Sequence, residues 1–419
     1  MTPPSGVRPD FFKRLLDCLR EDGPLEPEEL IERARWSAST RFRRFPELKR
    51  AGWIAIGDKV RLGPQVGSVL VVETERRRLR LAVVTAHSDA RITTHVGRER
   101  DLFPHGEAEV SRAEFRSLVE ELARELLEEL DSAIYPAAVV ATWPARISLE
   151  TGDPAPQKPP SNEWRQPRVK ELLGEALGAA GFPELPIDVL NAADAEAMGE
   201  AHVGVAIDSR PVVVVRIGEG VGSGTVLRDF GLLRGRNGFA GEIGHVPVTI
   251  PPSESNVLEV ELDPGAQCAC GGIGHLQCYA SAEAIADRLE LSGDMHTRAM
   301  RLWELRTERA VGDAFKEAGE ILGQALCGPV ALMDPAMVVL RIDPLMQHDE
   351  LLAGVRDKVQ EPFRPPPDVR WGTLRDPLFP LRGAAMYGIS ERIEPRLEEA
   401  ARKHGAAPAR RLTPVGAAD

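Results

Sequence analysis

The stretch GLLRGRNGFAGEIGHVPV (231–248), followed by CACGGIGHLQCYAS (268–281), decides how the chain is read. Glu242 and His245 stand three residues apart, one turn if the segment is helical, among glycines that keep the backbone open to a ligand. A carboxylate and an imidazole so placed can hydrogen-bond sugar hydroxyls, and can equally satisfy each other on a surface loop. Downstream, Cys268 and Cys270 bracket one residue, two glycines permit a sharp turn, and His275 and Cys278 follow. Thiolates at that spacing beside an imidazole suit a closed tetrahedral zinc site of mixed nitrogen and sulfur ligands. The cysteines number five, at 18, 268, 270, 278 and 327, with three inside eleven residues. An odd, clustered set points to metal rather than to a disulfide framework. Cys18 and Cys327 lie in apolar helical patterns and are expected to be buried.

Outward from this stretch the chain alternates strands and helices. GSVLVVETE and LRLAVVTA (67–75 and 79–86) read as a strand pair, and VSRAEFRSLVEELARELLEELD (110–131) as an amphipathic helix with Phe115, Leu118, Val119, Leu122, Leu126 and Leu130 inward. AAVVATWP is another buried strand, and TGDPAPQKPPSNEW (151–164), with four prolines, a surface loop. A helix from about Arg168 to Ala179, the strand IDVLN, the small-residue helix AADAEAMGEA and the strand VVVVRIGEGVGSGTVL follow. Gly218–Gly224 is a glycine-rich turn suited either to an anion or to a tight hairpin. With 419 residues, 43% hydrophobic and 28% charged, the chain is long enough for two or three domains with sizeable cores. We expect an α/β body of two lobes.

The net charge of −12 argues against one broad nucleic-acid surface, but it is unevenly spread. Up to Pro64 there are 13 Lys and Arg against 10 Asp and Glu, a net of +3, which leaves −15 for the rest. The head reads as three helices and a hairpin. The first spans DFFKRLLDCLRE, the second EPEELIERA (26–34) with Pro27 in its first turn, and the third has Ser39 or Thr40 as its N-cap with Phe42, Phe45 and Leu48 inward. IAIGDKVRL alternates around Gly57-Asp58 as a β-wing would. That order reads as a winged helix-turn-helix whose third helix offers cations to phosphates and guanine edges, the alternative being a small helical domain with a solvated basic face. Pro46 interrupts this helix unless it begins nearer Arg43. No 18-residue apolar run exists and the N-terminus lacks a signal-peptide core, so a cytoplasmic protein with no membrane partner is expected.

The pairing of Glu-x-Gly-His with Cys-x-Cys-Gly, with ALMDPAMVVL (331–340) and RGAAMYG (382–388) near the end, resembles the ROK family, named for its repressors, open reading frames and sugar kinases. The basic head in front makes the chain resemble a ROK transcriptional regulator. The resemblance implies a two-lobed actin/hexokinase-like (ribonuclease H-like) body behind the winged helix-turn-helix. The domains would be 1–64 (DNA-binding), 65–184 (first lobe) and 185–419 (second lobe with the zinc site), the C-terminal segment returning to the first. It implies a structural Zn2+ on His245, Cys268, Cys270 and His275, the last standing where the family has a cysteine, with Cys278 a rival fourth ligand. It implies sugar contacts from Asn191, Asn237, Glu242, His245 and Gln277; the DNA contacts expected from the basic head itself are Ser39, Thr40, Arg41, Arg43, Arg44, Lys49 and Lys59.

Where the family's catalytic Glu-Asn-Asp segment falls, this chain has Leu190-Asn191-Ala192. The first phosphate loop falls at Glu73–Arg77 without glycines, and a later Gly-Gly is Arg341-Ile342. No catalytic residue is therefore expected and the chain is expected not to be an enzyme. The leading expectation is a repressor, a homodimer or dimer of dimers, binding a double-stranded operator and answering to a sugar derivative. Two alternatives stand beside it: a ligand-independent repressor or dimerisation scaffold, and a sugar kinase with a regulatory head.

Overall fold

The computed structural model describes residues 15, 18, 25–37, 39–50, 54–62, 68–75, 78–86, 92–102, 110–130, 134, 136–155, 168–228, 231–250 and 262–393. The first expected helix and the proline-rich loop beyond residue 155 fall almost wholly outside them.

In the head, α1 (Pro27–Arg33) and α2 (Ser39–Arg50) precede a hairpin of β1 (Ile54–Ile56) and β2 (Val60–Leu62). Leu25 bonds across to Val60 in both directions, so the chain before α1 edges the hairpin. Leu30, Phe45, Leu48, Ile54 and Val60 fill the small core. Phe42 does not. Expected inside, it lies 77% exposed, because Phe45 and Leu48 already occupy the face of α2 that meets α1 and β1. The helix also begins at Ser39 and runs through the exposed Pro46 rather than starting near Arg43.

The body holds two five-stranded sheets of the same design. The first has β3 (Ser68–Thr74), β4 (Arg78–Ala86), β5 (Ile92–Asp101), β6 (Ala138–Trp143) and β7 (Ile187–Asn191), in the order β5-β4-β3-β6-β7. The second has β8 (Val212–Ile217), β9 (Val221–Leu227), β10 (Gly231–Leu232), β11 (Met337–Arg341) and β12 (Asp368–Trp371), in the order β10-β9-β8-β11-β12. In each, three strands form an antiparallel meander and two more add in parallel to its first strand. The stretch VVVVRIGEGVGSGTVL is thus a hairpin, β8 and β9, and not one strand.

Helices α3 (Arg112–Glu129) and α4 (Val169–Ala180) cover the outer face of the first sheet. Ser111 and Glu114 close a capping box at the start of α3. The outer face of the second sheet is covered by α6 (Gln277–Ala280), α7 (Ala282–Arg288), α8 (Met295–Glu304), the long α9 (Arg309–Met333) and α10 (Asp349–Gln360). Between the sheets lie α5 (Ala192–Val203) and α11 (Phe379–Tyr387). Strand residues alternate accordingly: Val69, Val71, Val212 and Val214 face the central helices, while Leu70, Val72, Val213 and Val215 face outward. Burial on both faces explains why these strands are continuous apolar runs. It also explains α5, buried from Ala193 to Ala201 and built of small residues. Gly199 leaves room there for the Phe379 ring and the Gly383 backbone of α11, which also packs on β3. Among the described residues no helix is long and apolar enough to cross a membrane.

Candidate metal centre and ligand cleft

The site forms where α5 begins, beside the β8–β9 hairpin. Gly241 and Gly244 press against the Ser223 and Val221 carbonyls of β9, so closely that a Cβ at either would overlap them; Gly241 also has a φ of +90°. Ser223 donates through its N–H (2.8 Å) and its hydroxyl (3.0 Å) to the Gly241 carbonyl. The Glu-Ile-Gly-His segment is thereby fixed as one turn of 3₁₀ helix, Ile243–His245. Beyond it, residues 246–248 pair with 274–276: Val248 N–H to Gly274 and Leu276 N–H to Val246, both at 2.9 Å. This short antiparallel ladder brings His245 to the cysteine loop. The loop is a tight turn in which Cys268 N–H bonds the Gly272 carbonyl and Gly271 N–H bonds the Cys268 carbonyl, each at 2.8 Å.

One donor atom from each of His245, Cys268, Cys270 and His275 lies within 4.8 Å of all the others, and among the described residues this is the group able to hold a metal ion. Cys268 Sγ is 3.7 Å from His245 Nδ1, and Cys270 Sγ is 3.3 Å from His275 Nδ1. Ligands about 2.0–2.3 Å from a tetrahedral zinc stand roughly 3.5 Å apart, so the cluster fits the ion in donor type and in spacing. Cys278, the rival ligand, is outside the group of four; burial and the neighbouring Cys268 raise its thiol to about 11. Burial, followed by Arg146 and His275, lowers the His245 pKa, which favours the neutral, ligating imidazole. With Nδ1 toward the cysteine, its Nε2 faces the Glu242 carboxylate at 3.7 Å. Cys18 and Cys327, expected to be buried, are partly exposed.

The expected ligand residues are less free than their types imply. Asn191 donates from Nδ2 to the Ala145 carbonyl (3.0 Å) and caps α5 by accepting from Ala193 N–H (2.8 Å). Gln277 donates from Nε2 to Cys268 Sγ (2.9 Å), so it supports a metal ligand directly. Asn237 is exposed, and its carbonyl accepts from Leu149 N–H (3.0 Å). Glu242 is half-buried; burial raises its carboxyl and Arg146 opposes the rise. Arg146 stands near both Glu242 and His245, 5.6 Å over the Phe239 ring. Sequence reading passed over it, because nothing in WPARISLETG connects it to the later motif. Asp194 is buried in the first turn of α5, its carboxyl raised to about 7 by burial and by Glu242 against the pull of Arg234.

In the head, Ser39, Arg43, Lys49 and Lys59 are exposed and Arg44 is half-buried. The side chains of Thr40 and Arg41 lie outside the described residues.

A model of the ROK family matches residues 107–371. The chain belongs to the ROK family. This ROK protein is 25% identical over 208 residues to the xylose repressor of Bacillus spizizenii, covering 49% of each chain. It is 26% identical over 300 residues to the glucokinase of Thermotoga maritima, covering 67% of this chain and 86% of that enzyme. A solved ROK family transcriptional regulator, a homologue of the E. coli Mlc protein, superposes with a TM-score of 0.60 at 18% identity, covering 94% of this chain and 97% of that one. The chain spans about half the length of the repressor it matches. The actin/hexokinase-like fold is as expected. The expectation that this ROK protein is not an enzyme is overturned by the glucokinase match, which covers most of that enzyme.

Proposed function

We propose that this ROK protein is a DNA-binding transcriptional repressor whose body carries a structural zinc and senses a sugar or sugar derivative. The observation that carries the reading is the basic head. Arg43 and Lys49 stand exposed on α2, Lys59 stands exposed in the turn of the wing, and the sequence behind them is acidic. A helix of that charge in a winged helix-turn-helix is suited to the major groove, its cations reaching phosphates and guanine edges. Similarity to a xylose repressor and fold likeness to a ROK transcriptional regulator support the same reading.

Zinc would be held by His245, Cys268, Cys270 and His275. When bound it supplies a cross-link that fixes the turn bearing Glu242 against the start of α6. Glu242, Arg146 and the Nε2 of His245 then present an acceptor, a cation and a donor to sugar hydroxyls. Two heads on a dimer would read half-sites about one helical turn, or a multiple, apart. A ligand that closes the cleft would shift the spacing of the heads and so the affinity for DNA.

The test is to capture genomic fragments with the full-length protein and to screen sugars, sugar acids and sugar phosphates for release. Wild type should capture a discrete set. Arg43→Ala with Lys49→Ala should lose it and flatten the salt dependence by about two units of log–log slope. Unchanged capture by that variant would remove the head's assigned role. Capture that no carbohydrate releases would favour the ligand-independent repressor.

A further inference from the structure

The outer stripe of α2 is not purely cationic. Residues Ser39, Phe42, Arg43, Pro46 and Lys49 are exposed at spacings of three and four, while Phe45 and Leu48 are buried behind them. Phe42 is 77% exposed on the first full turn, next to Arg43 and one turn before Pro46. A large aromatic exposed beside the cation Arg43 is an unfavourable arrangement for an isolated domain and a natural one for a surface that meets an apolar group within an anionic field. Proline adds to this. It has no N–H, so one turn of α2 presents ring carbons where a backbone bond would otherwise run.

The partner that combines these properties is the major groove. It is about 12 Å wide, admits one helix, carries phosphates along both rims, and shows a single apolar group on its floor, the C5-methyl of thymine. Arg43 and Lys49, six residues apart, are separated by about 9 Å along the helix, enough to reach the rim while Phe42 faces the floor. We propose that Phe42, with Pro46 beside it, reads a thymine methyl group in each operator half-site and is a specificity-determining residue of the head. The proposal rests on the DNA-binding reading above.

The test uses full-length protein and its best-captured genomic fragment, resynthesised with deoxyuridine in place of thymine at one position at a time, a change that removes only the methyl. Binding is followed by fluorescence anisotropy for wild type, Phe42→Ala and Phe42→Leu. One position per half-site should weaken wild type about fourfold on losing its methyl, the magnitude of one buried CH₂-sized group. Phe42→Ala should lose a similar factor on the thymine fragment and be indifferent to deoxyuridine at that position. Phe42→Leu should keep part of the sensitivity, and the slope of affinity with salt should not change in either variant. The proposal is overturned if no deoxyuridine position affects wild type, or if Phe42→Ala is as sensitive as wild type, as it would be were Phe42 a protein-docking residue. If instead no fragment is bound above background, or Arg43→Ala with Lys49→Ala binds as wild type does, the DNA-binding reading fails first and takes this proposal with it.

Discussion

His275 shows what one residue decides. A histidine where the family has a cysteine left the ligand set open in the sequence; in the fold His275 Nδ1 stands 3.3 Å from Cys270 Sγ, within the group of four donors, and Cys278 stands outside it. Four-coordinate zinc tolerates either donor but not a missing one. Protein purified from zinc-supplemented medium should hold about one zinc per chain by metal analysis. His275→Ala and Cys268→Ser should hold close to none, whereas His275→Cys and Cys278→Ser should retain it. Full retention by His275→Ala would assign the ion to other ligands. Phe42 teaches the complementary lesson. Its spacing from Phe45 and Leu48 marks a possible inner face, but of the three only Phe45 and Leu48 enter the core with Leu30, Ile54 and Val60, and Phe42 stands at the surface.

At the scale of one element, α5 gathers buried charge between two sheets. Near its start, burial raises Asp194 from 3.8 to about 7. Near its end, burial and then Arg210 lower His202 from 6.5 to about 4, although His202 Nδ1 donates to the Met198 carbonyl at 2.8 Å. The two act oppositely on stability. Folded Asp194 keeps its proton above the pH at which the unfolded chain loses it, so its contribution is fully present below about pH 4 and lost as pH rises to about 7. Folded His202 stays neutral where the unfolded chain is protonated, so its contribution is present above about pH 6.5 and lost as pH falls to about 4. Urea denaturation across pH 4 to 7 should separate them. Relative to Asp194→Asn, wild type should lose up to about 4 kcal/mol on going from pH 4 to 7. Relative to His202→Gln, it should gain up to about 3 kcal/mol over the same range. A pH-independent difference in either comparison would show that the group titrates normally. Neither group could be picked from the sequence as unusual, because Asp and His inside AADAEAMGEAHV read as ordinary helix-surface residues until both faces are seen to be covered.

For the whole molecule, an ionic network, buried at Arg341, Glu196 and Glu200 and partly exposed at Arg216 and Glu75, links the two sheets. Arg341, at the end of β11, binds Glu196 (3.0 Å) and Glu200 (2.5 Å) of α5, and its guanidinium lies 4.4 Å over the Phe379 ring of α11. Glu200 also accepts from Thr373 N–H (2.6 Å) and Val205 N–H (3.0 Å). Arg216 of β8 continues the chain to Glu196 (3.1 Å) and across to Glu75 beyond β3 (3.7 Å). Arg80 pairs with buried Glu73 and donates to the Pro377 carbonyl (2.6 Å), tying the C-terminal segment to the first sheet. Such a network is a modest source of net stability, yet removing one member strands the others without solvent. Arg341→Met, which leaves Glu196 and Glu200 buried without their cation, should cost about 3–5 kcal/mol in urea denaturation. A cost below 1 kcal/mol would mean that water reaches the carboxylates. Neither Arg341 nor Arg216 was legible as a structural residue; in the sequence Arg341 stood out only as a departure from a Gly-Gly, and Arg216 did not stand out within its apolar run.

The sequence by itself determined whatever depends on near neighbours. Apolar runs bounded by turns specified β3, β4, β6 and β7 and the apolar run of β8, the serine and glutamate spacing capped α3, Cys-x-Cys before two glycines specified a turn suited to a metal, and charge counted along the chain separated a basic head from an acidic body. These are local because a turn, a cap or a periodic face is set within a few residues. Tertiary structure decided what requires distant segments to meet. It placed His245 against cysteines more than twenty residues away, buried α5 on every side, paired Arg341 with carboxylates some 140 residues earlier, and gave Phe45 rather than Phe42 the core of the head. The physical reason is common to all four. Burial and ion pairing depend on which surfaces pack together, and periodicity along one segment specifies a face without specifying what will cover it.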